Sequence, residues 1–446
     1  MIFLKQNSFQ KQVLKIAVPV ALQCMLQASF SIVDQVMVGS LGSVSVAAVG
    51  IAGKLGSLYM VVIGAVVSMA GIMMSQYSGA GDREETDRSF SLNLLISLLI
   101  GAVFTAVCLL FANPLMRLYS ADSKTVAAAA EYLQIVSLGF LPYAVIMMIS
   151  ARLRCMEKAA LPLIAGIAAS VVNTVFNYVL IFGRLGASPL GANGAGIATV
   201  ISQAFNMLLL LAVLFAAEKG SGRICLSPRL KKMSGAKYLS IFLPVLVIEF
   251  MWSLSENVYA SVYGHIGTLE CAAMTLTYPV QGLLVGALSG LSQAAGILIG
   301  KELGKGDCAA AYRKSKRLLL DGLLGSLALG VLLVCCMGFY TEIYQVEDYV
   351  KQVAQQLLLV FAFLSPVKVL NMILGGGIVK SGGQTRVVML IELLGTWGVG
   401  VPLAFLSAYV WRLPIPAVYL LLSTEECVRL GLTWIVFVRK RWMKTI

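Results

Sequence analysis

The amino-acid sequence predicts an all-α membrane protein with twelve transmembrane helices in two pseudo-symmetric six-helix lobes. Three observations carry this expectation. The composition is too apolar for a water-exposed domain, the basic residues fall on alternate loops, and the second half of the chain repeats the first at a constant offset. Of the 446 residues, 59% are hydrophobic and 12% charged, with a mean hydropathy of +0.87. Soluble domains are about 45–50% apolar and about 25% charged. A water-soluble enzyme and a disordered chain are thereby excluded. At about 20 apolar residues per span, the length accommodates about a dozen helices.

The first helix follows the run MIFLKQNSFQKQVLK, which carries Lys5, Lys11 and Lys15. No small-residue cleavage site closes a short apolar core, and the apolar run continues to Val38, so it reads as a retained helix and not a signal peptide. Twelve apolar segments are expected at about 14–38, 45–78, 90–112, 128–151, 160–183, 194–217, 239–263, 270–302, 317–339, 350–378, 386–410 and 415–438. Several exceed the minimum for a span, which allows tilt. They lack the strict alternation over about 10 residues that a membrane β-barrel requires.

Placing the N-terminus inside puts 26 of the 34 lysines and arginines on the inner loops and 6 on the outer, with Lys368 and Arg429 inside spans. Short loops rich in Lys and Arg stay cytoplasmic. Both termini are therefore expected in the cytoplasm and the protein in the cytoplasmic membrane. The formal net charge of +13 is accounted for by topology and needs no nucleic-acid partner.

The nine cysteines (Cys24, Cys108, Cys155, Cys225, Cys271, Cys308, Cys335, Cys336 and Cys427) form no CxxC pair, and His265 is the sole histidine. The ligand clusters of a zinc site are missing, and one loop histidine cannot build a Ser-His-Asp relay. No GxxxxGK[ST] loop is present to cradle a nucleotide phosphate. No catalytic residue and no cofactor is predicted. The expected partner at this level is the lipid bilayer.

The repeat sets the domain plan. Residues 18–42, VPVALQCMLQASFSIVDQVMVGSLG, align with residues 243–267, LPVLVIEFMWSLSENVYASVYGHIG. Pro19, Gly39 and Gly42 match Pro244, Gly264 and Gly267, each 225 residues on. At the same offset, Gly79, Gly81 and Asp82 match Gly304, Gly306 and Asp307. The expected organisation is an N-lobe over 1–218, a basic cytoplasmic linker over 219–237 and a C-lobe over 238–446. With six helices each, the lobes share one membrane orientation and are expected to be related by an axis along the membrane normal, with cargo handled between them.

Ionised carboxylates within spans cost about 2.5–3.5 kcal/mol each on insertion scales, so those present mark candidate sites. Asp34 sits one turn before Gly39. It is either an interfacial acid or an ion or proton site facing the N-lobe interior. Asn173 and Asn177 share a helix face at i, i+4. Two amides and a carboxylate offer the oxygens that a hard cation prefers, and the same carboxylate can instead hold a proton. Asp34, Asn173 and Asn177 are therefore the expected cation or proton site, and the one place expected to hold a metal ion is a sodium position at Asp34. In the C-lobe, Glu249, Trp252 and Glu256 lie along one face of helix seven, an acidic and aromatic stripe suited to a lipophilic cation. Glu392 adds a third acid to this C-lobe cation or substrate site, or pairs with Lys368. Asp321 follows the basic run RKSKR and ranks low, and Arg429 is at helical spacing from Glu425 and Glu426. Gly282, Gly286 and Gly290, and again Gly296, Gly300 and Gly304, recur every four residues, the pattern that lets membrane helices approach closely.

Taken in order, several motifs resemble the multidrug and toxic compound extrusion (MATE) family. They are VDQVMVGSLG closing helix one, QYSGAGD at 76–82, and NTVFNYVLIFG at 173–183 followed by LGANGAGIAT. Pro244, Glu249 and Trp252 are similar to the family's seventh helix. KSGGQ at 380–384 with Glu392, Trp397 and Pro402 is similar to its tenth and eleventh. The resemblance implies a twelve-helix antiporter that expels organic cations by alternating access, driven by sodium or proton entry. The expected partners are then small cationic solutes, with no cofactor beyond the transported sodium ion or proton and the protein a monomer. It matches Asp34 to the family's helix-one aspartate and Asn173 to its helix-five asparagine. Asn177 stands where some proton-linked members carry an aspartate. Glu249 matches the helix-seven glutamate of one bacterial subgroup, whereas other subgroups carry it nearer Trp252. The alternative within the superfamily is a lipid-linked oligosaccharide or polysaccharide flippase, whose anionic cargo favours basic residues. A membrane-embedded enzyme and a channel are the remaining alternatives.

Overall fold

The computed structural model describes residues 2–186, 188–218, 234–344 and 346–445, with the side chains of all of these except 2–8, 28, 30–33, 35 and 43. Most of the expected basic linker, together with Cys225, and the side chain of Lys5 lie outside the described residues. Every described element is a helix. The first three are α1 (Ile2–Gly39), α2 (Ser43–Gly79) and α3 (Arg83–Arg117). Next come α4 (Ser123–Ser137), α5 (Phe140–Cys155), α6 (Ala160–Phe182) and α7 (Gly191–Glu218). The second half contains α8 (Gly235–Ile266), α9 (Thr268–Gly304), α10 (Cys308–Glu342) and α11 (Asp348–Asn371). It ends with α12 (Thr385–Glu392), α13 (Val401–Phe405), α14 (Ile415–Leu422) and α15 (Thr424–Val438). Stretches of π-helix at Met372–Val379, Leu393–Gly400 and Leu406–Val410 join or extend α11 to α13.

Among the described residues, nine helices are long and apolar enough to cross a bilayer, and α4 with α5, bent by 44°, makes a tenth. Together with α1 and the α14–α15 pair, the order is that of twelve passes in two six-helix sets. Two expected spans are broken. The segment 128–151 bends between Ser137 and Phe140, and 415–438 is interrupted at Ser423. At the first bend, Thr105 donates to the freed Ser137 carbonyl (2.9 Å) and buried Tyr59 to that of Phe140 (2.5 Å). Thr105 thus replaces a backbone bond that the break loses in apolar surroundings, and Tyr59 ties the first turn of α5 to α2.

The repeat extends well beyond the motifs that reveal it. α2 and α9 start and stop at residues 225 apart, as do α3 and α10; α4 and α11 start at the same offset, and so do α6 and α12. The turns agree in conformation as well. Gly81 and Gly306 hold φ of 74° and 78°, a left-handed backbone that explains glycine at that place in GAGD and GKGD. Asp307 then caps α10 by accepting from the Ala310 amide at 2.8 Å.

By compactness the described chain divides into two units that cut across the repeat. One comprises 25–74, 83–186 and 188–218; the other comprises 2–24, 75–82, 234–344 and 346–445. The second unit thus takes in the start of α1 and the last turn of α2. Glycine explains this, because α9 presents bare backbone to both. A Cβ on Gly290 would lie 2.0 Å from the Ala17 carbonyl oxygen, and one on Gly304 would lie 1.9 Å from that of Gln76. Reciprocally, a Cβ on Gly79 would lie 2.0 Å from the Lys301 carbonyl oxygen. Gly79 and Gly304 are repeat equivalents, and so are Gln76 and Lys301, so the α2–α9 crossing is symmetric about its own centre. Gln76 seals it by donating to the carbonyls of Ser381 (2.6 Å) and Lys444 (3.2 Å). Beside it Trp442 is fully buried and stacks on Phe437.

Candidate ion and cargo sites

In the first unit, α6 presents Asn173 and Asn177 on one face, towards α1. Asn177, only 1% exposed, donates from Nδ2 to the Asp34 carboxylate at 2.6 Å and to Asn173 Oδ1 at 3.1 Å. Its own Oδ1 is buried and has no hydrogen-bond partner. Asp34 is half-buried, and Tyr132 of α4 lies within its electrostatic reach. The glycine-rich run after Gly183 holds this arrangement. Gly183 closes α6 in the left-handed conformation (φ 66°). The chain then returns so closely that a Cβ on Gly194 would meet the Leu180 carbonyl oxygen at 2.6 Å. Val38, Ile181 and Ala195 close a small apolar core around it. The three residues expected at this site are thus brought together by α1 and α6. They form a carboxylate that accepts from one amide, Asn177, which also reaches Asn173 and leaves its own oxygen over. Such a cluster can take up a proton or offer several oxygens to a hard cation.

The second unit contains a cavity of about 110 Å³ between α8, α9, α11 and the α14–α15 pair. Trp252 and Glu256 of α8, Tyr278 of α9 and Lys368 of α11 line it. On the α15 side stand Glu425, Glu426 and Arg429. Most of these charges are satisfied internally. Tyr259 donates to Glu425 Oε2 at 2.6 Å. Asn371 donates to the Glu426 side chain at 2.7 Å and to its carbonyl at 2.6 Å. Arg429 lies 3.5 Å from Glu426 and is hydrogen-bonded to Glu392. The π-helical stretch Leu393–Gly400 makes room for this network. A Cβ on Gly395 would lie 2.2 Å from Arg429 Cγ, and one on Gly400 would lie 1.9 Å from Glu425 Oε2.

The expected C-lobe stripe is therefore divided. Trp252 and Glu256 reach the cavity, but Glu249 is ion-paired to Lys380 at 3.4 Å. Seven residues keep two side chains on one helix face but separate them by about 10 Å along the axis. Glu392 takes Arg429 and not Lys368, because α15 carries the guanidinium to α12. Asp321 pairs with Arg317 at 3.3 Å within its own helix. Sequence reasoning passed over Tyr259, Asn371 and the two clearing glycines. One signal was available for Tyr259, which lies 225 residues after Asp34.

The helical passes, the internal repeat and the buried polar clusters within spans define a solute transporter of the membrane. The MatE family profile matches residues 19–179 and 244–406, one block in each half. The chain belongs to this family of multidrug and toxic compound extrusion transporters and is a multi-pass membrane protein. It is 23% identical over 441 residues to a "Probable multidrug resistance protein NorM" of Thermotoga maritima, covering 98% of this chain and 93% of that one. It is 24% identical over 427 residues to "Multidrug and toxin extrusion protein 1" of Pongo abelii, covering 93% and 72%. Its fold matches a solved multidrug resistance MATE transporter in an outward-facing conformation, with a TM-score of 0.85 at 18% identity over 97% of both chains. It also matches a Pyrococcus furiosus transporter of the same superfamily, described as having a binding pocket of reverse polarity, with a TM-score of 0.84 at 18% identity over 98% and 96%.

Proposed function

We propose that the protein is a secondary antiporter of the cytoplasmic membrane that exports lipophilic organic cations by alternating access, in exchange for sodium or proton entry. It works as a monomer, with both termini in the cytoplasm and no covalent chemistry. The observation that carries this reading is Asp34, a carboxylate within a span whose hydrogen-bond donor is an amide and not a base. A carboxylate so placed is poised for an incoming cation: sodium, taken up by Asp34, Asn173 and Asn177, or a proton on Asp34 itself. Ion entry then favours one access state, and cargo at the C-lobe cavity with Trp252 and Glu256 favours the other. The α2–α9 crossing at Gly79 and Gly304 parts between them. The work available is about 2.3 kcal/mol per charge per 100 mV, before any concentration gradient is added. A flippase of anionic lipid-linked sugars fits less well, since the in-span acids outnumber Lys368 and Arg429. The test is export of a lipophilic cationic dye from proteoliposomes under imposed sodium or pH gradients. Export should follow one of the two, and export indifferent to both overturns the reading.

A further inference from the structure

We propose that α10, α11 and α15 of the second unit together bind one anionic phospholipid of the cytoplasmic leaflet, with its phosphate between Lys316 and Lys440 and an acyl chain in the groove beside them. The site is independent of what the protein exports.

Two helical stripes meet here. On α10, Tyr312, Lys316 and Leu319 recur at i, i+4 and i+7 and share one face. On α15, Cys427, Leu430, Gly431 and Trp434 do the same. Phe437 stacks on Tyr312, ring centres 4.9 Å apart, and joins the two stripes. Between them, with Val367 and Leu370 of α11, runs a groove of about 390 Å³. Gly431 keeps it open, since a Cβ there meets nothing within 4 Å. Its lining is apolar apart from the Cys427 thiol. Lys368 and Arg429 of the same helices turn instead to the polar cavity, so the groove belongs to the face that meets lipid. From Cys427 to Trp434 it extends about 10 Å along the axis, most of the depth of one leaflet's share of a hydrocarbon core about 30 Å thick.

Two exposed cations stand at the basic end of this groove. The Nζ atoms of Lys316 and Lys440 each lie 4.8 Å from the centre of the Tyr312 ring, so they are no farther apart than twice that distance. Neither is hydrogen-bonded or ion-paired to any described residue. Their neighbours on α10 are neutralised, Lys314 by Glu302 at 3.1 Å and Arg317 by Asp321 at 3.3 Å. The Tyr312 ring attracts each ammonium but cancels neither charge, so the pair repels until an anion enters. Lysine binds phosphate as a point charge. Basic sites between helices on the cytoplasmic side recognise anionic head groups, and this is the side that the proposed topology gives to the basic loops. Leu319 lies one turn deeper than Lys316, so head group and chain are met in one continuous path.

The test is native mass spectrometry of the purified full-length protein in detergent, with phosphatidylglycerol or phosphatidylcholine of the same acyl chains. The wild type should retain one phosphatidylglycerol on the order of tenfold more tightly than phosphatidylcholine, as expected for a charge-assisted contact. Combining Lys316→Gln with Lys440→Gln should bring phosphatidylglycerol to the phosphatidylcholine level without lowering the thermal midpoint, because both lysines are exposed. Arg386→Gln removes an exposed cation of α12 outside the groove and should leave the preference intact. Gly431→Leu fills the groove and should weaken both lipids. Glycerol 3-phosphate, which carries the phosphate without chains, should not displace the lipid. Equal retention of the two lipids by the wild type overturns the proposal, as does a preference that survives in the double variant or vanishes in Arg386→Gln. Wild-type lipid binding by Gly431→Leu, or displacement by glycerol 3-phosphate, overturns it as well, the latter in favour of a site for free phosphate.

Discussion

The symmetric crossing of α2 and α9 makes a quantitative demand on two glycines. Replacing Gly304 with alanine places a Cβ 1.9 Å from the Gln76 carbonyl oxygen and 2.8 Å from its carbonyl carbon. Replacing Gly79 places one 2.0 Å from the Lys301 carbonyl oxygen and 2.6 Å from its Cα. Both obstacles are backbone in the last turn of a helix, so neither can swing aside as a side chain would. To reach ordinary contact the helices must separate by more than an ångström, and overpacking of this kind costs about 1–3 kcal/mol. Between a state with the crossing closed and one with it parted, that penalty shifts the populations by about 5- to 150-fold towards the parted state. The assay is maleimide labelling of Cys24, read by peptide mass spectrometry, because Cys24 of α1 packs on the same helix α9, with its sulfur 3.5 Å from Ser289 Oγ. Both variants should label faster than wild type, and by similar factors, since the repeat makes the two clashes equivalent. Gly53→Ala is the control: a Cβ there meets nothing within 4 Å, and alanine in a helix gains up to about 1 kcal/mol over glycine. If Gly79→Ala and Gly304→Ala label at the rate of this control, the crossing is not a closed contact.

Three further outcomes follow from the buried polar groups. Arg152→Met should lower the unfolding free energy by about 3–5 kcal/mol, seen as a fall in thermal midpoint, because Arg152 pairs with the buried acids Asp87 and Glu218. Gly400→Ala should disturb the Tyr259–Glu425 pair and weaken dye binding in a fluorescence titration, with a smaller effect at Gly398, where a Cβ meets nothing within 4 Å. Asn177→Ala removes the donor to Asp34, a charge-assisted bond of about 1.5–3 kcal/mol, and should slow gradient-driven export on the order of tenfold or more.

Much of this was legible in the sequence, and the remainder was hidden for identifiable reasons. Long apolar runs and loop charges revealed the passes, since both are properties of composition along the chain. Matched glycines and prolines revealed the repeat, and Gly79 and Gly304 proved to mark one crossing from its two sides. The i, i+4 pair Asn173 and Asn177 was legible because helix geometry alone places both on one face. Partner choice was not. Glu249 and Glu256 share a face, but depth along α8 decides that one meets Lys380 and the other a cavity. Glu392 lies nearer to Lys368 in sequence than to Arg429, yet α15 delivers the guanidinium. The π-helical stretches were hidden too, because a widened turn depends on the side chains it must admit, here Arg429 and Glu425 against Gly395 and Gly400.

The proposed antiport couples ion entry at Asp34 to the outward movement of cargo. Its most direct test is a proteoliposome experiment comparing wild type with Asp34→Asn at matched protein incorporation and thermal stability. In the wild type, an outward cargo gradient should drive measurable sodium or proton uptake. In Asp34→Asn, cargo should still bind but should no longer move the ion. Coupled uptake at the wild-type rate in the variant would contradict it.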